Sequence, residues 1–198
     1  NLRRVPGTNR RVYRSAHTDD LATLVENANQ IWKATLSSSF PLLTQISLVL
    51  DLRSPLEIDE EKVRIWTNSN TFGDLWRISE DEIPNLTDTS LRRRCVVRVN
   101  MTEKITHQLK DSPLKLSRFE KMVHGISEHG LGFLYKMLLN QHDAIFKCLV
   151  IITTHLEECP ANKVLLHCVQ GKDRTGIISM LLESVAEVSD EQILQDYM

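Results

Sequence analysis

The segment HCVQGKDRTG, at residues 167–176, constrains the fold of this chain more than any other stretch. An apolar run at 164–166 precedes it, and a helix-forming run at 177–185 follows it. This order predicts a buried strand, a tight loop and then a helix. Gly171 lies inside the loop, where the backbone must turn sharply and a residue without a side chain is favoured. The loop therefore leads into a helix N-terminus, where several backbone N–H groups have no partner within the helix.

A loop of this kind is suited to binding a phosphate group. Backbone N–H groups at a helix N-terminus form a concave anion site, and the helix dipole adds a partial positive charge. Arg174 ends the loop and can hold two phosphate oxygens with its planar fork. The same positive field favours the thiolate form of Cys168, and a thiolate facing phosphorus is a nucleophile. The segment therefore predicts a catalytic site built on Cys168 and Arg174.

The other residues of this segment are given substrate-binding or supporting roles. The predicted substrate-binding residues are those of the loop: Val169, Gln170, Gly171, Lys172, Asp173 and Arg174. Thr175 is expected to hydrogen-bond the sulfur of Cys168, and His167 to hold the loop backbone rather than to transfer protons. A carboxylate at Asp173 would repel an anionic substrate, so this side chain is tolerable there if it carries a proton. A protonated carboxyl in that place can act as a general acid.

The segment resembles the Cys-x5-Arg signature of the cysteine-dependent phosphatases, and is most similar to the tyrosine/serine phosphatase branch that reads His-Cys-x-x-Gly-Lys-Asp-Arg-Thr-Gly. Three more stretches resemble that branch: 1–4 with 12–16, 51–54 with Glu57, and 196–197. The resemblance implies an α/β, tyrosine-phosphatase-like fold, with a central, mainly parallel sheet flanked by helices. It implies hydrolysis of phosphate monoesters through a cysteinyl-phosphate intermediate, with no cofactor. Residues 1–198 are then predicted to form a single phosphatase domain.

Composition excludes several other classes of protein. The net charge of −2 argues against a nucleic-acid-binding protein, which normally carries a basic excess. The longest apolar run, at 148–152, is far too short to span a bilayer. The 4 cysteines and 7 histidines match no zinc-binding spacing, so no metal site is predicted. A free thiolate favours a reducing compartment, and we expect a cytoplasmic location.

The hydrophobic pattern predicts strands that alternate with helices. Predicted strands lie at 12–16, 46–52, 63–66, 71–78, 95–101 and 164–167; predicted helices lie at 19–31, 130–140, 145–156, 175–187 and 190–197. Such an order is typical of a parallel sheet covered on both faces. Ligands bind at the carboxyl ends of such strands, so Cys168 and Asp51 are expected at the same edge.

The sequence leaves the general acid open between two carboxylates. Many tyrosine phosphatases carry a Trp-Pro-Asp loop, but no tryptophan of this chain is followed by proline. The two candidates are Asp173, which is preferred, and Asp51 at the end of a neighbouring strand. The alternative interpretation of Asp51 is an ion pair with an arginine such as Arg53 or Arg14.

The substrate class is also left open. A phosphorylated protein is favoured, which makes the chain a protein-tyrosine or dual-specificity phosphatase. A phosphoinositide or inositol phosphate is the alternative, because Lys172 and the basic run at 92–94 would attract a multiply charged substrate. Two further hypotheses are a phosphate-binding module without turnover and a rhodanese-like sulfur transferase. The presence of both Cys168 and Arg174 disfavours the first, and the Arg174-Thr175 start of the helix disfavours the second.

Overall fold

A computed structural model describes residues 2–16, 45–58, 76–78, 95–103, 105 and 118–198. Its strands are β1 (Arg3–Arg4), β2 (Val12–Ser15), β3 (Leu48–Asp51), β4 (Trp76–Ile78), β5 (Cys95–Arg98) and β6 (Val164–His167). Its α-helices are α1 (Arg118–His129), α2 (Leu131–Leu139), α3 (His142–Glu158), α4 (Asp173–Val185) and α5 (Asp190–Tyr197). A single 3₁₀ turn, Pro55–Glu57, follows β3 within the described ranges.

The strands form one sheet in the order β1-β2-β6-β3-β5-β4. β1 runs antiparallel to β2, whereas β2, β6, β3, β5 and β4 pair with one another in parallel. All four residues of β3 and all four of β6 are buried. Burial on both faces is why these strands have nearly continuous apolar sequences instead of an alternating pattern. The predicted α/β class with a mainly parallel central sheet is confirmed.

Two groups of buried side chains hold helix α4 in place. The larger group joins the sheet to α3 and to Ile178 of α4. The smaller group joins Met137 and Leu138 of α2 to Ile177 of α4. Because close-packed side chains tolerate little displacement, the N-terminus of α4 is fixed relative to the strands. The helix thereby positions the loop that precedes it.

Several element boundaries differ from those that the sequence predicts. Helix α4 begins at Asp173 rather than at 175, so Asp173 and Arg174 lie in its first turn. A negative side chain is favourable there, since the helix dipole is positive at that end. β1 was not predicted, because two exposed arginines carry no apolar pattern. The predicted helix at 19–31, the strand at 63–66 and the basic run at 92–94 lie outside the described residues.

The described helices are those of a globular α/β layer structure. The longest of them, α3, has 17 residues and buries Cys148, Ile151 and Ile152 against the sheet. Among the helices that are described, none combines the length and the apolar character needed to cross a membrane.

Candidate active site

The carboxyl ends of three adjacent strands meet at the candidate site. In the sheet register, His167 at the end of β6 lies between Ser15 of β2 and Asp51 of β3. The backbone N–H of Leu52 donates to the carbonyl of His167 at 2.9 Å, which ties the chain after β3 to the end of β6. Cys168 follows immediately. The prediction that Cys168 and Asp51 share one edge of the sheet is therefore confirmed.

Gly171 shapes the loop between β6 and α4 and contacts the sulfur of Cys168. Gly171 has a φ of +69°, and a Cβ at this position would lie 2.2 Å from the carbonyl oxygen of Ser15. Only glycine fits that space and that backbone conformation. The Gly171 N–H donates to Sγ of Cys168 at 3.3 Å. An N–H directed at sulfur stabilises a thiolate more than a thiol, because the hydrogen bond is then charge-assisted.

Arg174 is oriented by the carboxylate of Glu57. Its Nη1 donates to Glu57 Oε2 at 2.6 Å, and its Nη2 donates to Oε1 at 2.7 Å. Nη1 also donates to the carbonyl oxygen of Leu52 at 3.2 Å. Burial lowers the pKa of Arg174, but the hydrogen bonds to Glu57 and the negative groups nearby together raise it by more. The pKa of Arg174 therefore lies above its usual value. The guanidinium is therefore both charged and fixed.

These bonds leave one edge of the Arg174 guanidinium open. A guanidinium has five N–H donors, of which Glu57 and Leu52 take three. Within the described part of the chain, Nε and the second hydrogen of Nη2 have no acceptor. Those two donors point in the same direction along one edge and match two oxygens of a phosphate.

Glu57 is itself held by the turn that follows β3. The backbone N–H and the hydroxyl of Ser54 donate to Glu57 Oε2 at 2.8 and 2.9 Å. Burial raises the pKa of Glu57, but the hydrogen bonds from Arg174 and Ser54 lower it by more. The pKa of Glu57 therefore lies below its usual value. The bond from Glu57 to Arg174 was not predicted. The available signal is the Ser-x-x-Glu spacing at 54–57, which is typical of a capped turn.

Asp51 is enclosed and paired with Arg53. Arg53 Nε and Nη2 donate to the two carboxylate oxygens of Asp51, each at 2.9 Å, and both side chains are 1% exposed. Burial raises the pKa of Asp51, but the neighbouring His167 and Arg53 lower it by more. The pKa of Asp51 therefore lies below its usual range. The ion pair with Arg53, one of the interpretations left open for Asp51, is present.

His167 and Thr175 are the buried residues on either side of the loop in the sequence. Nδ1 of the buried His167 is 3.3 Å from the carbonyl oxygen of Cys168 and 3.8 Å from Asp51 Oδ1. The expected hydrogen bond from Thr175 to the sulfur is wrong: its hydroxyl is buried with no hydrogen-bond partner among the described residues. Thr175 lies in the first turn of α4, and the backbone N–H of Gly171 contacts the sulfur instead.

Asp173 is bound by a tyrosine that the sequence did not single out. The hydroxyl of Tyr135, on α2, donates to Asp173 Oδ1 at 2.6 Å and also contacts the hydroxyl of Tyr197. Asp173 is partly exposed, unlike Asp51. Nothing in the local sequence around Tyr135 marks it, since its partner lies on another helix.

An ion pair joins two of the stretches that carried the resemblance, 12–16 and 196–197. Arg14 Nη1 donates to Asp196 Oδ2 at 2.7 Å, and the side chains are 2% and 10% exposed. This ion pair joins β2 to the end of α5, so Arg14 pairs with Asp196 instead of Asp51.

A polar cleft borders the loop. Its volume is about 520 Å³. Its lining residues are Arg3, Gln170, Gly171, Lys172, Tyr197 and Met198. Three of the predicted substrate-binding residues thus line one cleft, whereas Val169, Asp173 and Arg174 do not belong to its lining. The cleft places an arginine from β1 next to the cationic rim of the loop.

Comparison with known proteins agrees with this arrangement. The family model described as the tyrosine phosphatase family matches residues 8–198. No curated protein matches the chain. The match extends over nearly all of the chain and includes strands β2 to β6, the loop and helices α4 and α5. The chain therefore belongs to the tyrosine phosphatase family.

Proposed function

We propose that the protein hydrolyses phosphate monoesters through a cysteinyl-phosphate intermediate on Cys168, with a phosphorylated tyrosine of a protein as the preferred substrate. The observation that carries the proposal is the loop itself. The Gly171 N–H lies 3.3 Å from the Cys168 sulfur, and the open edge of Arg174 belongs to the same loop. A nucleophile, a backbone N–H donor and a phosphate-binding fork therefore lie within residues 168–174, which lead into the N-terminus of a helix.

The reaction takes place in two displacements. The thiolate of Cys168 attacks phosphorus, the S–P bond forms, and the P–O bond to the alcohol breaks while a general acid protonates the departing oxygen. Water then attacks phosphorus, the S–P bond breaks, and the same carboxylate takes the proton from the water. Arg174 and the loop N–H groups bind the non-bridging oxygens in both steps, which stabilises the charge of each transition state.

We assign the acid to Asp173. Asp51 has both oxygens bound by Arg53 and is buried. A proton on it would have to displace that ion pair and could not reach an ester in the loop. Asp173 is partly exposed and is adjacent in sequence to Arg174, which binds the phosphate. Its position at the end of the loop suits proton transfer to the leaving group.

Trapping the covalent intermediate tests the proposal. The protein is mixed with a phosphotyrosine peptide, quenched in acid within milliseconds and digested for mass spectrometry. We expect a phosphoryl group on the peptide that contains Cys168, together with release of phosphate at longer times. Binding of the peptide without phosphate release, or phosphoryl transfer to another residue, would contradict the proposal.

A substrate with more than one phosphate, such as an inositol phosphate, is the second candidate. The supporting observation is the polar cleft beside the loop, to which Arg3 and Lys172 each contribute a cation. The two residues come from different elements, β1 and the loop. A second phosphate on the substrate would lie between them while the first is bound by Arg174.

Substitution of Arg3 tests that candidate. Arg3→Ala is expected to raise KM for a bisphosphorylated inositol by about fivefold, the value of an exposed ion pair, with no change for p-nitrophenyl phosphate. Arg4→Ala is the matched control: Arg4 is the next residue of the strand and points to the other face. An equal effect of Arg3→Ala on both substrates, or an equal effect of Arg4→Ala, would exclude the subsite.

A further inference from the structure

We propose that Tyr135 is a positioning residue for Asp173, which holds Oδ1 as a hydrogen-bond acceptor so that Oδ2 carries the transferred proton. This inference rests on the proposed function, in which Asp173 is the general acid. The contact that carries it is the 2.6 Å hydrogen bond from the Tyr135 hydroxyl to Asp173 Oδ1. Tyr135 acts through Asp173 and does not itself touch the substrate.

The direction of the hydrogen bonds follows from counting protons. A tyrosine hydroxyl has one hydrogen to donate. Because Tyr135 donates it to Asp173 Oδ1, the contact between the two hydroxyls requires Tyr197 to donate to Tyr135. The chain of donors therefore runs from Tyr197 to Tyr135 to Asp173. Oδ1 is occupied as an acceptor, and Oδ2 remains for the proton.

Tyr135 keeps its proton over the working pH range. Burial raises the pKa of Tyr135, and the carboxylate of Asp173 and the hydroxyl of Tyr197 raise it further. The hydroxyl of Tyr135 is thus a hydrogen-bond donor at neutral and mildly alkaline pH. A hydroxyl that stays protonated gives Asp173 one constant partner in both halves of the reaction.

Tyr197 is in turn anchored by its neighbours. The adjacent Asp196 forms the buried ion pair with Arg14, which fixes the end of α5 against β2. A Cβ on Gly176 would lie 3.0 Å from Tyr197, so the ring packs directly against the backbone of α4. The rings of Tyr135 and Tyr197 meet edge to face, with centroids 6.3 Å apart. The position of Tyr197 is therefore set by contacts with α4 and α2 and by the ion pair of its neighbour Asp196 with β2.

The proton transfer that Tyr135 positions is balanced within the site. In the first displacement the O–H bond on Oδ2 breaks, and its proton goes to the oxygen that leaves phosphorus. In the second, Oδ2 takes a proton from the attacking water. Oδ1 stays bonded to Tyr135 throughout, so the carboxyl does not have to rotate between the steps. A fixed carboxyl preserves the geometry on which proton transfer depends.

The leaving group of the substrate provides the test. p-Nitrophenolate is a stable anion and needs little protonation, whereas phenolate needs more and an alkoxide needs the most. With kcat/KM as the readout, Tyr135→Phe is expected to lose about tenfold with an alkyl phosphate and to change little with p-nitrophenyl phosphate. Asp173→Asn is expected to show the same trend with a loss of about 10² to 10⁴. The double variant should be no slower than Asp173→Asn, because Tyr135 acts through that carboxyl.

Two further variants complete the design. Tyr13→Phe is the matched control, since the hydroxyl of this buried tyrosine donates to the Arg10 carbonyl at 2.8 Å, and the residue lies in strand β2. It should leave the leaving-group trend unchanged. Tyr197→Phe retains the Tyr135 hydroxyl and is expected to give a smaller loss of the same kind. This variant keeps the inference testable if Tyr135→Phe folds poorly.

The outcomes separate this inference from the function on which it rests. An equal loss for every leaving group in Tyr135→Phe, or losses that add to those of Asp173→Asn, would overturn the positioning role. A parent protein that hydrolyses none of the esters would overturn the proposed function itself. If Asp173→Asn shows no leaving-group trend while the parent is active, the acid lies elsewhere and the inference fails with it.

Discussion

Cys168→Ser is expected to lower the rate of phosphate-ester hydrolysis by roughly 10⁵-fold, because the serine hydroxyl has no base to ionise it. The loop stabilises an anion that is already formed, through the Gly171 N–H at 3.3 Å from the sulfur. It offers no proton acceptor in contact with that atom. Initial rates with p-nitrophenyl phosphate and a phosphotyrosine peptide measure the effect.

The serine variant should still bind phosphate, since the Arg174 fork and the loop N–H groups are unchanged. Calorimetric titration with inorganic phosphate checks this and shows that the loop has kept its shape. Cys159→Ser is the matched control, because this free thiol is exposed at the end of α3. Activity in Cys168→Ser comparable to that of the parent, or a comparable loss in Cys159→Ser, would remove the nucleophile from Cys168.

The elements around the loop were predictable because their signals are local. The apolar runs that became β3 and β6 are buried on both faces, and a strand of that kind shows its character in consecutive residues. Gly171 was predictable for the same reason, since its backbone conformation is required by a turn within the loop. A parallel sheet then places the ends of these strands together without further information.

The contacts that orient the site were not predictable, because each joins residues far apart in the sequence. Glu57 reaches Arg174 only once β3 lies beside β6, and Tyr135 reaches Asp173 only once α2 packs on α4. The role expected for Thr175 depended on side-chain geometry within the loop, which the sequence pattern does not specify. The Gly171 N–H contacts the sulfur, and the Thr175 hydroxyl is buried without a hydrogen-bond partner among the described residues.

The ion pairs also divide into local ones, which the sequence indicates, and ones between residues far apart in the sequence, which it does not. Asp51, Arg53 and Ser54 lie next to one another in sequence, and their bonds shape the turn that carries Glu57. We therefore propose that Asp51 is a structural carboxylate: it fixes the chain after β3, and that chain carries Glu57 to Arg174. The sequence presented Asp51 as a second acid because it lies at the correct edge of the sheet. Its bonds to Arg53 support the ion-pair interpretation.

Arg174→Lys is expected to lower kcat/KM by about 10³-fold. Enzymes lose rate to a similar degree when a transition-state donor or a phosphate-binding arginine is removed. Arg174 uses three N–H groups on Glu57 and Leu52 and presents the other two as a fork. A lysine ammonium has three donors that spread from one atom. It can bind Glu57 or the phosphate, but it cannot bind both with two parallel hydrogen bonds each. The charge is conserved, so the loss measures geometry.

Glu57→Gln separates the orientation of Arg174 from its charge. The amide keeps one acceptor oxygen, so we expect an intermediate loss of about tenfold in kcat/KM, near the value of one charge-assisted hydrogen bond. Arg11→Lys is the matched control for Arg174→Lys. Arg11 also donates to backbone carbonyl oxygens, those of Asn162 and Cys159, but it lies before β2, at the opposite edge of the sheet. It should change thermal stability and leave kcat/KM unaltered. If Arg174→Lys retains most of the parent's activity, the phosphate is held by the loop N–H groups alone, and the fork has no part in catalysis.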